Sequence, residues 1–346
     1  MTWKDDPMIM DEYDRLAPTP RSAAPPLPVE ERPRRRRRTR GKTRCLLAFL
    51  LASGLLMATR LSQLWLVFDV LNQFTLQFAI VAAAFLIGYF VPFGRVLVGM
   101  LLTIAGMAAT GLYPQYFSDK PEIIGSVQPN EKELRLFSFN SRLHNDKAEA
   151  VADEILRHDP DIATLIEFGE EKRVALDRLR AKYPYVAGCI NEPFCHLAII
   201  SKVPIVSSEA RALWAGPPLI RATLGGDFAG MVVVGVHTIR APHVRAQFSQ
   251  MNSLAEYLFQ FDKKAIVMGD FNATPFSRVL EIFSDRTRLR RLTWLPTWPA
   301  TVELPQLGID HIFVSPEFRV IERERIGKSS GSDHYPVTVK VAVPVR

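Results

Sequence analysis

Val267-Met268-Gly269-Asp270-Phe271-Asn272-Ala273-Thr274-Pro275 is the stretch on which the fold turns. Ala265 to Met268 is a short apolar run that reads as a buried strand, and Gly269-Asp270 ends it. A strand holds the side chain at its end rigidly at the rim of a sheet. Here it delivers an acid, with an amide two residues on. Either residue alone more often serves a turn. The pair at the end of a buried strand gains meaning only if the arrangement recurs.

It recurs through the last two thirds of the chain. Leu134 to Phe139 alternates as a strand and ends at Asn140. Ala148, Val151, Ala152, Ile155 and Leu156 have helical spacing, stopped by His158-Asp159-Pro160. Ile162 to Ile166 is a short buried strand ending at Glu167, followed by a helix from about Gly169 to Lys182. His196 to Ile200 is a strand. Arg221–Leu224 and Met231–Val236 form a hairpin through Gly225-Gly226-Asp227, with His237 next. Val244 to Phe261 is helical, and Ile309 to Val314 and Val337 to Val343 are the last strands. Hairpins mixed with crossover helices predict an α/β (α+β) four-layer sandwich, two packed mixed β-sheets flanked by helices. Asn140, Glu167, His237, Asp270, Asn272, Asp310, Asp333 and His334 all fall at strand ends.

The first third differs in kind. Residues 1–43 are proline-rich and then arginine-rich (Arg34 to Arg38, Arg40, Lys42), and read as a disordered basic tail. Residues 44–117 carry three apolar runs: Cys45 to Leu71 interrupted by Arg60, Phe74 to Phe93, and Val96 to Leu112. Spanning a bilayer takes roughly 20 apolar residues, so three transmembrane helices are expected, the first being marginal in length. The basic flank before Cys45 stays cytoplasmic, and three crossings then carry everything after Phe117 to the other side. Residues 118–131 form a linker and 132–346 the soluble domain. Cys189 and Cys195, six apart, suit a disulfide in an oxidising compartment, although two unpaired cysteines fit the spacing as well.

Charge follows the same division. Of the formal +7, residues 1–117 carry +6 and the remainder only +1. A near-neutral domain lacks the basic face of a duplex-DNA binder, so no stable nucleic-acid complex is expected. The spans hold almost no charge, which disfavours a transporter. Oligomeric state leaves no trace in the sequence.

Four motifs, in order, are Asp159-Pro160-Asp161-Ile162 leading to Glu167, Val267 to Pro275, Gly308-Ile309-Asp310-His311, and Gly331-Ser332-Asp333-His334-Tyr335-Pro336-Val337. Together they resemble the endonuclease/exonuclease/phosphatase (DNase I-like) superfamily over about residues 132–343. The three-span leader resembles its membrane-anchored bacterial branch, which implies a multi-pass inner-membrane protein with a periplasmic catalytic domain. The resemblance implies hydrolysis of a phosphate ester with Mg²⁺ or Mn²⁺. Glu167 is then the metal ligand, with Asn140 and Asp333 completing or orienting its shell. Asp270 aligns or deprotonates the attacking water, Asn272 donates to a phosphate oxygen, Asp310 orients His334, and His237 sits near the leaving group. Some nucleases of the family carry an acid two residues after the first asparagine. This chain has Arg142 there, which leaves a second metal in doubt and makes Arg142 a candidate phosphate contact. Arg221 is another. Trp294 and Trp298 flank an apolar loop that either packs or meets a lipid headgroup region. Nucleic acid, phospholipid and other phosphate esters all stay open as substrates. The rival class is a catalytically silent membrane scaffold retaining the fold for binding.

Overall fold

The computed structural model describes residues 34–90, 126–190, 192–261, 264–302 and 306–345. The third apolar run, the linker's first residues and most of the tail lie outside them. The chain divides into two compact units, Met1–Thr43 and Arg44–Arg346. A helix α1 occupies Arg34–Ala58, so the arginine run expected in a disordered tail is helical. Its sequence holds no proline after Pro33 to break the backbone pairing, and leucine and alanine dominate from Leu46 on. Thr39–Gln63 is long and apolar enough to cross a membrane. After short 3₁₀ turns at Thr59–Gln63 and Leu66–Phe68 come helix α2 (Asp69–Asn72) and helix α3 (Thr75–Phe90). Leu66–Asn72 and Thr75–Phe90 are bent 58° from each other.

The remainder is the expected four-layer sandwich. Its strands are β1 (Glu131–Asn140), β2 (Ile162–Ile166), β3 (Tyr185–Gly188), β4 (Leu197–Ser201), β5 (Ile205–Arg211) and β6 (Leu219–Leu224). They continue as β7 (Val232–His237), β8 (Ala265–Asp270), β9 (Arg290–Arg291), β10 (Asp310–Val314), β11 (Arg319–Ile326) and β12 (Val337–Pro344). The first sheet runs β11-β12-β1-β2-β4-β3 and the second β5-β6-β7-β8-β10-β9. Each holds one parallel pair at its centre, β1 with β2 and β7 with β8, among antiparallel neighbours. A parallel pair needs a crossover, supplied by helix α4 (Ala148–His158) and helix α6 (Val244–Phe259). Helices α5 (Arg173–Leu179) and α7 (Arg278–Thr287) complete the outer layers.

Period-two alternation sorts the side chains into three cores. Leu134, Leu136, Ile199, Ile220, Val233, Ile266, Met268 and Ile312 fill the space between the sheets. Phe137, Phe139 and Leu165 face α4 and α5, joining Val151 and Ile155. Val234, Val236, Val267 and Phe313 face α6 and α7, joining Met251, Leu254 and Phe283. Burial on both faces explains the nearly continuous apolar strands, which alternate in direction but not in polarity. The structure adds β3, β5, β9, β11 and α7 to the expected elements and shortens the helix expected from Gly169 to Lys182 to a 3₁₀ turn and α5.

Candidate active site

Strand register assembles the site. His237, Asp270 and Asp310 pair in one row across β7, β8 and β10. Asn140 ends β1 beside Ile166 of β2, and Glu167 follows. Both rows reach the same rim of the sandwich, where a cleft of about 570 Å³ is lined by Glu167, His237, Asp270, Asn272, Asp333 and His334 among others.

Gly269 explains how Asp270 gets there. Its φ is 155°, and a Cβ at that position would lie 1.9 Å from the carbonyl oxygen of Val236. Only glycine lets β8 approach β7 this closely. Beyond the strand ends, Glu167 (φ 51°) and Asn272 (φ 48°) hold left-handed backbones. Non-glycine residues rarely sit there unless their surroundings fix them. The Asn272 N–H donates to Asp270 Oδ1 at 2.8 Å, and its side-chain amide donates to the Thr238 carbonyl at 2.9 Å. That amide is therefore anchored to backbone as well as lining the cleft.

Asn140 is the bridge between the sheets. Its amide group donates to Glu167 Oε1 at 3.1 Å and to Asp270 Oδ2 at 3.0 Å, while its oxygen accepts from the Arg142 N–H at 3.0 Å. Glu167 Oε2 accepts from the Leu143 N–H at 2.9 Å. His237 Nε2 stands 3.8 Å from both Glu167 Oε1 and Asp270 Oδ2. On the far side, His334 Nδ1 and Asp310 Oδ2 are 2.9 Å apart, and His334 Nε2 is 3.8 Å from Asp270 Oδ2. Thr297 donates its hydroxyl to Asp310 Oδ2 at 2.5 Å. Ser332 donates to the Asn140 carbonyl at 2.7 Å and accepts from the His334 N–H at 3.0 Å. It locks the last motif onto the end of β1.

These surroundings separate the charges. Burial raises the Asp270 carboxyl, and Asp310 raises it further, to about 6. Burial raises Glu167 too, but His237, the Leu143 N–H and Asn140 outweigh it, and the net direction is down. Burial works against the His334 cation, yet Asp310, Asp270 and Asp333 overcome it and push the imidazole up to about 10. The site thus pairs a charged carboxylate with a readily protonated one, beside a firmly protonated imidazole.

Glu167 and Asp270 converge as hard oxygen donors held by the Asn140 amide, and the Glu167 side chain is 30% exposed. That donor chemistry fits a divalent cation. Asn140 directs its amide N–H groups at the two carboxylates, so in this arrangement it orients them. Asp270, Asp310 and His334 also offer ligand atoms within 4.8 Å of one another. Two of these are engaged with each other, and Asp310 Oδ1 is buried without a hydrogen bond. Asp333 lines the cleft and its Oδ2 accepts from Trp298 Nε1 at 3.4 Å.

The two arginines expected as substrate contacts lie outside the cleft lining. Arg221 sits mid-strand in β6, pairs with Glu209 at 3.0 Å and covers the Phe261 ring, away from the cleft-lining residues. Strand alternation, which buries Ile220 and Ala222, turns it to the helix-covered side. The Arg142 side chain is exposed and absent from the cleft lining, and only its backbone serves the site. Cys189 and Cys195 form a disulfide. Of the two tryptophans, Trp298 lines the cleft and Trp294 stacks under Arg291. Thr297, Ser332 and Thr238 escaped the sequence reading, as did Gln73 and Phe74 in the cleft wall. Hydroxyls beside the Trp298 and Ser-Asp-His stretches were visible, but their targets are distant in the chain. Nothing local marked Gln73.

Two βαβ units thus present acids, amides and imidazoles at one rim of the two-sheet sandwich. The chain belongs to the endonuclease/exonuclease/phosphatase family, whose model matches residues 137–334. Among solved structures, it resembles a family protein from Bacteroides thetaiotaomicron at 19% identity and TM-score 0.52, covering 61% of this chain and 98% of that one. It also resembles one from Bacteroides vulgatus at 17% and 0.51, covering 61% and 98%. A humanized D. rerio TDP2 follows at 15% and 0.50, covering 60% and 98%. No curated protein sequence matches the chain.

Proposed function

We propose that this chain is a membrane-anchored, Mg²⁺- or Mn²⁺-dependent phosphoesterase. The observation that carries this reading is the cleft in which Asn140, bonded to Glu167 at 3.1 Å, reaches Asp270 of the other sheet at 3.0 Å, with the Asp310–His334 pair beside Asp270. Glu167, with Asn140 and Asp333 nearby, would hold the cation. When bound, it supplies positive charge to the phosphoryl oxygens and lowers the cost of the leaving oxygen's charge.

Asp270 aligns the attacking water and accepts its proton as the water oxygen bonds to phosphorus and the ester P–O bond breaks. A carboxyl raised to about 6 suits that task near neutral pH. His334, kept protonated by Asp310, donates to the phosphoryl oxygen and stabilises the five-coordinate arrangement. His237 lies beside the leaving group, and Asn272 offers its amide to the phosphate. In the topology we favour, the arginine-rich end is cytoplasmic, the spans lie in a bacterial inner membrane, and the domain is periplasmic, where the Cys189–Cys195 disulfide is stable.

The deciding experiment is a panel of nucleic acid, phospholipid and sugar-phosphate substrates with and without Mg²⁺, comparing wild type with Asp270→Ala. Hydrolysis that needs both the cation and Asp270 is expected. Equal inertness of both proteins across the panel would leave the silent scaffold as the better reading. A tag after Arg346, exposed to protease once the outer envelope is permeable, checks the topology; its protection sinks the periplasmic placement.

A further inference from the structure

The loop between the first two apolar helices is tied to the catalytic cleft by polar groups that a membrane linker does not need. Asp69 is fully buried. Its Oδ2 accepts from the Ser277 hydroxyl at 2.6 Å and its Oδ1 from the Arg278 N–H at 2.5 Å. Ser277 caps α7, so Asp69 places a negative charge at the same helix N-terminus, where unpaired N–H groups and the helix dipole favour it. Gln73 Oε1 accepts from the Thr274 N–H at 2.7 Å. These bonds fix both ends of the Ala273–Ser277 turn, immediately after Asp270 and Asn272. Gln77 donates to the Gln306 carbonyl at 3.0 Å, in the loop that returns from Trp298 to Asp310. Leu66 and Val70 pack on the apolar cluster between the second sheet, α6 and α7. Gln73 and Phe74 themselves line the cleft.

On the outer side of this docked segment, Leu64, Trp65, Val67 and Phe74 are exposed. Leu50 and Leu51 of α1 and Ile87 and Phe90 of α3, on the helices either side of it, are exposed as well. Exposed apolar side chains beside a tryptophan, at the junction of apolar helices, are suited to the bilayer interface. The same residue, Phe74, belongs to that surface and to the cleft wall.

We propose that the Asp69–Gln77 segment is a built wall of the catalytic cleft that holds its mouth at the bilayer surface, so that the preferred substrate is an amphiphilic phosphate ester resident in that bilayer. Asp69 is a positioning residue, acting through the Ala273–Ser277 turn, and Phe74 is the specificity-determining contact for the apolar part of the substrate. The substrate half of this inference rests on the phosphoesterase reading; the docking half does not.

The test uses the full chain in phosphatidylglycerol vesicles, with Cys45→Ser removing the free thiol. Gln77→Cys with Gln306→Cys should cross-link through a short bis-maleimide, and the yield should fall at least fivefold when Asp69→Ala is added. For substrate class, hexadecyl p-nitrophenyl phosphate in the vesicle is compared with methyl p-nitrophenyl phosphate in solution, which share one reacting group. The expected kcat/KM ratio favours the hexadecyl ester at least tenfold, and Phe74→Ser should bring it down about tenfold. A ratio near one, or one that Phe74→Ser leaves unchanged, overturns the substrate assignment. Failure to cross-link overturns the docked wall. Cross-linking without hydrolysis of either ester overturns the phosphoesterase reading and the substrate assignment with it, while the docked wall stands.

Discussion

Glu167 and Asp270 occupy matching places in the two sheets. Each closes the second strand of a central parallel pair whose first strand ends in Asn140 or His237. Asp270 ends β8 opposite His237, Glu167 follows β2 with a left-handed backbone, and the two acids differ in charge as well as in place. The Glu167 side chain is 30% exposed, takes a backbone N–H, and stays on the charged side of the ordinary carboxylate range. Asp270 is buried, faces Asp310 across the β8–β10 register, and is raised to about 6. Burial opposes the charge at both positions. Burial is deeper at Asp270, and the neighbours differ as well: His237 stands beside both acids, but Asp310 raises Asp270 alone. In the proposed phosphoesterase, a pair of like groups driven apart in this way divides the labour, one acid for a cation and one for a proton.

The largest effect should come from removing the proton acceptor while keeping its shape. Asp270→Asn is expected to lower kcat/KM about 10³-fold, the upper part of the range for general base catalysis with loss of a fixed charge. Raising the Mg²⁺ concentration should not restore it. Glu167→Gln should cost about 10²-fold, with the cation concentration for half-maximal rate rising by a similar order. There, excess cation should recover much of the loss. Steady-state rates over a Mg²⁺ titration read both variants. If excess cation rescues the two variants equally, the division between the sheets is wrong.

How far the sequence revealed this division depends on the range of the interactions. The strand ends were legible because apolar runs stop abruptly at Asn140, Glu167, His237, Asp270 and Asp310, and the sandwich follows from their alternation with helical segments. Two of the edge strands, β5 and β11, were not, since β11 is charged at most positions, β5 is half polar, and neither has a fully buried face. The Asp310–His334 pair needed the family resemblance, and the register of β8 with β10 supplies its physical basis. The face taken by Arg221 was not legible either, because a lone arginine within a short strand carries no sign of its orientation. The docking of Asp69 joins residues 208 apart in the chain and could not be read from either end.

A smaller effect tests the second sheet's other imidazole. His311 is one residue from Asp310, and strand alternation turns it away from His334, toward Phe271 and Phe313. Burial, then Arg291, push it down to about 3, against partial support from the Ala273 carbonyl and Thr293 hydroxyl. The folded imidazole stays neutral while the unfolded one takes a proton below its ordinary value near 6.5. Below that pH the unfolded state binds more protons, so stability falls as pH falls, through the window from about 6.5 to about 3. Between pH 6.5 and 5, His311 should account for about 2 kcal/mol of that loss. Urea unfolding of wild type and His311→Asn at both pH values should show it as a difference in slope. Parallel pH dependences would mean that His311 is protonated in the fold.

The smallest expected effect is at Arg221, and it separates structural from substrate cations. Its guanidinium joins Glu209, which also pairs with Arg211 and accepts from the Tyr257 hydroxyl, in a cluster on the helix-covered side of the second sheet. Arg221→Ala removes a half-buried ion pair and a cation–π contact, and the expected cost is about 1–2 kcal/mol of stability. The kcat/KM should stay within about twofold, because in the proposed mechanism the positive charge at the phosphate comes from His334 and the cation. A KM that rises tenfold with unchanged stability would bring Arg221 back to the substrate. It would also mean that the two sheets share phosphate binding more evenly than the register of His237, Asp270 and Asp310 implies.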